Sequence, residues 1–111
     1  MVGINEELKA AEAARAVLTT NSNSKATIKA LREAKYVAAS AMTIWPSDKP
    51  LNDARHAVVI ALSDLVKALE SDPAPQLEKI DKAKEAIRNL VWLLKATQEL
   101  RLRRLADGDQ L

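Results

Sequence analysis

The chain has 111 residues, of which 48% are hydrophobic and 29% charged, and its formal net charge is +2. These values predict one soluble globular domain and give no argument for nucleic-acid binding. The absence of cysteine excludes disulfides, cysteine-based zinc sites and thiol nucleophiles. No apolar run approaches the roughly 20 residues that span a bilayer, and the acidic N-terminus lacks the features of a signal peptide. We therefore expect a cytoplasmic protein.

The first two predicted helices cover 5–19 and 25–45. Asn5 can cap the first, and apolar residues then recur at three- and four-residue spacing. The polar segment 19–24 ends it, because these side chains compete for backbone hydrogen bonds. The second helix ends where a proline follows, since the residue before proline disfavours helical backbone angles.

The last two predicted helices cover 50–70 and 73–106, each with prolines at its start, where no amide hydrogen is needed. We expect 107–111 to be a disordered tail. No segment alternates as a strand does. Because short connections make neighbouring helices antiparallel, the sequence predicts an all-α, up-down-up-down four-helix bundle made of two helical hairpins.

The fourth predicted helix is too long for this bundle. At ~1.5 Å per residue it reaches roughly 48 Å, against about 30 Å for its longest neighbours. Positions 95–105 exceed what the third helix can cover, and they still carry leucines. A helical-wheel projection also places Trp92 away from the main apolar stripe. We expect a homodimer, or a contact with another protein, through five interface residues: Trp92, Leu93, Leu100, Leu102 and Leu105.

Two interpretations are open for the end of the bundle near 43–50. Five side chains there can line a small pocket for an anion or a polar aromatic ligand: Met42, Trp45, Arg55, Gln98 and Arg101. In the favoured interpretation, Arg55 buries only its aliphatic stem and keeps its charge in water.

His56 is the only histidine, and we predict that it lies on a polar helix face in contact with water. The apolar residue Ile60, one turn further on, leaves a second interpretation open. In it this helix face is covered, and His56 is the axial ligand of a haem-type porphyrin. No other metal site or cofactor is predicted. We expect no catalytic residue and no enzyme, because Glu7, the one carboxylate near a core stripe, lies in a first helical turn that keeps it hydrated.

The hairpins, free of cysteine, poor in glycine and rich in alanine, are joined by connectors such as 71–75 (Ser-Asp-Pro-Ala-Pro). In this they resemble computationally designed (de novo) helical bundles, although the polar segment 19–24 departs from that style. The resemblance implies a chosen function, either assembly or binding of a small molecule in the core. A small natural adaptor or phage-encoded inhibitor is the alternative origin. The leading hypothesis is a non-enzymatic interaction module that self-associates through its fourth helix; the alternative is a small-molecule or haem-type cofactor-binding bundle.

Overall fold

A computed structural model describes residues 3–19, 24–71 and 76–106. Beyond Leu100 the helix backbone is described to residue 106, but Leu102 is the only residue whose side chain is described. Four helices follow one another: α1 (Ile4–Leu18), α2 (Lys25–Ile44), α3 (Lys49–Ser71) and α4 (Leu77–Ala106). No strand occurs in these ranges, which confirms the predicted all-α fold. The predicted tail, 107–111, lies outside them. Nowhere in the described ranges is a helix long and apolar enough to cross a membrane.

The helices form an antiparallel bundle with the predicted topology. Each helix packs on its neighbours in sequence, and α1 also packs on α4. Arg32 near the start of α2 pairs with Glu70 near the end of α3, as antiparallel neighbours require. It follows that α1 and α3 lie on one diagonal of the bundle and α2 and α4 on the other.

Local capping explains where the first two helices begin. The backbone amide of Gly3 donates to Oε2 of Glu6 at 2.8 Å, which closes the start of α1. The prediction that Asn5 caps this helix is therefore wrong, because Asn5 is already inside it. Ser24 Oγ accepts a hydrogen bond from the Thr27 amide at 3.2 Å and caps α2.

The core is aliphatic and unevenly distributed among the helices. Apart from one leucine at 31, the buried apolar residues of α2 are all alanines, whereas α3 and α4 supply most of the larger side chains. The largest fully buried apolar side chains are Leu31, Leu62, Leu65, Ile87, Leu90 and Leu94. Close packing of this kind makes each of them costly to truncate, by about 2–5 kcal/mol for leucine to alanine.

α4 is longer than the other three helices, as predicted, and α1 stays in contact with it beyond position 95. It has 30 residues, against 23 in α3, the next longest. Lys95 pairs with Glu12 of α1 at 3.2 Å, and Gln98 donates a hydrogen bond to Asn5. The prediction considered cover by α3 alone, whereas α1 also covers part of α4 beyond position 95. We call residues 100–106, which continue beyond the start of α1, the overhang.

Candidate functional site

A buried ion pair crosses the bundle along the α1–α3 diagonal. Arg55 Nε donates to Oε2 of Glu7 at 2.7 Å, and Nη2 donates to Oε1 at 2.8 Å. Glu7 is 3% exposed and Arg55 is 1% exposed. Two parallel charge-assisted hydrogen bonds are the strong geometry for this pair, and they compensate for removing both charges from water.

Asn52 extends the ion pair to the connection between α2 and α3. Its Oδ1 accepts a hydrogen bond from Nη1 of Arg55 at 2.9 Å, and its Nδ2 donates to the carbonyl oxygen of Trp45 at 2.7 Å. Among the described residues, no buried side-chain nitrogen or oxygen lacks a hydrogen-bond partner. The network therefore ties α1, the end of α2 and the start of α3 together at one end of the bundle.

This network overturns two predictions. Arg55 neither keeps its charge in water nor lines an open pocket, because Glu7 and Asn52 engage its guanidinium inside the core. Glu7 is not hydrated, because the diagonal partner shields it even though it lies in the first turn of α1. The sequence signal was present, since both residues adjoin core stripes. Reading each helix alone could not pair them.

The other predicted pocket residues share this end of the bundle without forming one site with Arg55. Met42 is half-buried, whereas Trp45 is exposed. Gln98 is half-buried and bonded to Asn5 of α1. The side chain of Arg101 lies outside the described residues. The three described side chains among them, Met42, Trp45 and Gln98, supply no convergent set of polar groups for an anion.

The outward surface of α4 carries large apolar side chains. Trp92 is 66% exposed, Leu100 is 50% exposed and Leu102 is 61% exposed. Leu93, predicted to be exposed, is instead half-buried and packs against the core. The side chain of Leu105 is not among those described.

A cleft of about 630 Å³ opens between α3 and α4, next to Trp92. We call it the α3/α4 cleft, and its lining is Ala57, Ala61, Lys82, Glu85, Ala86, Arg88, Asn89 and Trp92. Three alanines make it wide, since they leave space that larger side chains would fill. Glu85 and Arg88 make no ion pair with any residue that the structure describes. The cleft thus combines small apolar residues, an exposed tryptophan and three charged side chains, of which Lys82 pairs with Glu78.

A second cleft, of about 510 Å³, lies between α1 and α2. It is also lined by alanines and charged residues, including Glu6, Lys9 and Glu33, but by no aromatic side chain. The α3/α4 cleft therefore differs from it by the exposed tryptophan at its rim.

His56 is exposed, as predicted, and lines neither cleft. Ile60 is also exposed, so the structure gives no covered face around this histidine. Within the described ranges no group of three or more histidine, aspartate or glutamate side chains is placed to hold a metal ion.

Comparison with known proteins found no matching protein-family model, curated protein or solved structure. We therefore infer the function from the bundle itself: which side chains are exposed, what they contact and which charges they carry.

Proposed function

We propose that this chain is a non-enzymatic helical interaction module that forms a homodimer through α4. The observation that supports the proposal is the exposure of Trp92, Leu100 and Leu102 on a single helix. Exposed apolar patches of more than a few hundred Å² mark interaction surfaces on globular proteins. A second copy brings the same helix, so a two-fold contact buries two copies of every side chain that takes part in it.

The free energy of this association comes from burying large apolar side chains. Full burial of one large apolar side chain contributes about 1.5–3 kcal/mol. Two or three such residues on each copy therefore supply enough free energy for association after the entropic cost of joining two molecules, if they are buried together.

Trp92 is the side chain most suited to the centre of this contact. It is exposed beside Arg88 at the rim of the α3/α4 cleft. Tryptophan and arginine are the residue types most enriched among those that dominate binding free energy. Tyr36 of α2 is comparably exposed, at 71%, but does not lie on α4. It provides a matched control.

Light scattering on the purified chain tests the proposal. We expect twice the monomer mass of 12.1 kDa at high micromolar concentration. Trp92→Ala should shift the mass towards the monomer, while Tyr36→Ala should leave the dimer intact. A wild-type monomer at that concentration would contradict the proposal. Equal weakening by both substitutions would show that α4 is not the interface.

Binding of a small molecule or a haem-type cofactor is the rival function, and a titration separates the two. Haemin mixed with the protein should leave the Soret band at the position of free haemin if His56 is no ligand. A shifted band that His56→Ala abolishes would support the rival. Native mass spectrometry of the purified protein would detect any other retained ligand together with the oligomer mass.

A further inference from the structure

The geometry points to an antiparallel dimer in which Leu100 of each copy packs into the α3/α4 cleft of the other. This inference rests on the proposed homodimer and specifies its interface. It assigns the cleft one occupant, the α4 helix of a second copy. Trp92 then lies near the two-fold axis, at the centre of the contact.

Leu100 and the cleft lie on the same flank of α4. Asn89 lines the cleft, and Leu100 follows it by 11 residues, which is about three helical turns. Leu102 lies on a different flank, because it follows Lys95 by seven residues, about two turns, and Lys95 pairs with Glu12 of α1. The two exposed leucines therefore face different neighbours, and only Leu100 shares the flank of the cleft.

In one antiparallel register, large side chains on α4 of one copy lie opposite small side chains or open space on α4 of the other. When the two-fold axis passes near position 94, Leu100 of one copy lies opposite Arg88 of the other, beside the alanines of the cleft. In the same register, Trp92 lies opposite Ala96 of the second copy. A large side chain thus meets a small one or an open cleft along the central turns, which is what close packing between helices requires.

Charges agree with the same register. Glu85, at the edge of the cleft, makes no ion pair among the described residues. Position 103, an arginine in the sequence, is as far from position 94 on one side as Glu85 is on the other. An antiparallel pair therefore brings two positions of opposite charge to the same level at both ends of the contact. Such complementarity fixes the register of an interface.

A charge swap tests this register in the full chain, by sedimentation equilibrium. Glu85→Lys should raise the dimer dissociation constant about tenfold, because two-fold symmetry counts each charge pair twice. Arg103→Glu should weaken the dimer similarly. The double variant should return the dissociation constant to within about twofold of wild type, because the opposite charges are restored in reversed order. Circular dichroism checks that helix content is unchanged.

Two leucines of the overhang, Leu100 and Leu102, provide a second, independent test. Leu100→Gln should weaken the dimer, whereas Leu102→Gln, an equally exposed position on the other flank, should leave it near wild type. A wild-type dimer that both substitutions weaken equally, or a charge swap that is not rescued, would overturn this arrangement while leaving self-association through α4 in place. A monomeric wild type would instead overturn the proposed function itself.

Discussion

Near the start of α1 and α3 two opposite charges are buried in the core, whereas on the outward surface of α4 large apolar side chains are in contact with water. The first region is closed, because Glu7, Arg55 and Asn52 satisfy one another through hydrogen bonds. The second is open, because no residue that the structure describes covers Trp92, Leu100 and Leu102 in this way. The difference separates two roles: the polar pair joins helices inside the bundle, and we propose that the apolar surface makes contacts outside it.

The buried pair also bears on which arrangement the helices adopt. A bundle with an aliphatic core can exchange the positions of its helices at modest cost, since leucine and alanine make few directional contacts. Glu7 and Arg55 compensate for their burial only if α1 and α3 lie on one diagonal. We expect the pair to contribute specificity more than net stability, as buried ion pairs often do.

The largest expected effect comes from breaking this pair on one side. Arg55→Met should lower the free energy of unfolding by about 3–5 kcal/mol, because it leaves the carboxylate of Glu7 buried without its partner. Arg15→Met, at an exposed arginine of α1, is the control and should change stability by less than about 0.5 kcal/mol. Urea unfolding followed by circular dichroism measures both. Equal losses in the two variants would contradict the ion-pair account.

Replacing both partners should reverse most of that loss. Glu7→Leu combined with Arg55→Met removes both buried charges and fills the space with apolar atoms, so stability should return to within about 1 kcal/mol of wild type or exceed it. The same unfolding measurement gives the coupling between the positions. A double variant as unstable as the sum of the two single variants would show that the residues do not act as a pair.

Asn52→Ala should have a smaller effect, about 1–2 kcal/mol, because it removes a hydrogen-bond acceptor from Arg55 and a donor to the carbonyl of Trp45. The main ion pair stays in place. A loss as large as that of Arg55→Met would mean that Asn52, not Glu7, is the principal partner.

The smallest effect is expected at the exposed ion pair between Arg32 and Glu70. Its side chains are 57% and 45% exposed, so solvent screens their attraction. Arg32→Ala should cost less than about 1 kcal/mol in urea unfolding. Comparison with Arg55→Met then measures how much burial changes the consequence of losing an arginine. A cost above that of Arg55→Met would invert the ranking.

Sequence patterns predicted the helices well because the signals that set them are local. The polar segment that ends α1 and the proline that follows α2 act within a few residues, and the predicted bounds lie close to those observed. The Glu7–Arg55 pair depends on two helices whose residues are 48 positions apart in sequence. Its formation requires the relative rotation and level of α1 and α3, which no pattern within one helix contains.

On the surface of α4, too, sequence patterns predict what depends on one helix and miss what depends on its neighbours. The wheel placed Trp92 outward, and the structure agrees, because that position depends only on the helix's own core stripe. Leu93 was placed wrongly, because its burial depends on the helices packed against α4. The cover of α4 beyond position 95 also depends on another helix, since Lys95 and Gln98 contact α1.

Chemical unfolding at two protein concentrations a hundredfold apart tests the division between internal and external contacts most directly. If α4 joins two copies, the wild-type midpoint should rise with protein concentration, because dimerisation stabilises the folded state by mass action. Trp92→Ala should make the midpoint independent of concentration, while Tyr36→Ala should keep the wild-type dependence. A wild-type midpoint that is the same at both concentrations would contradict the account.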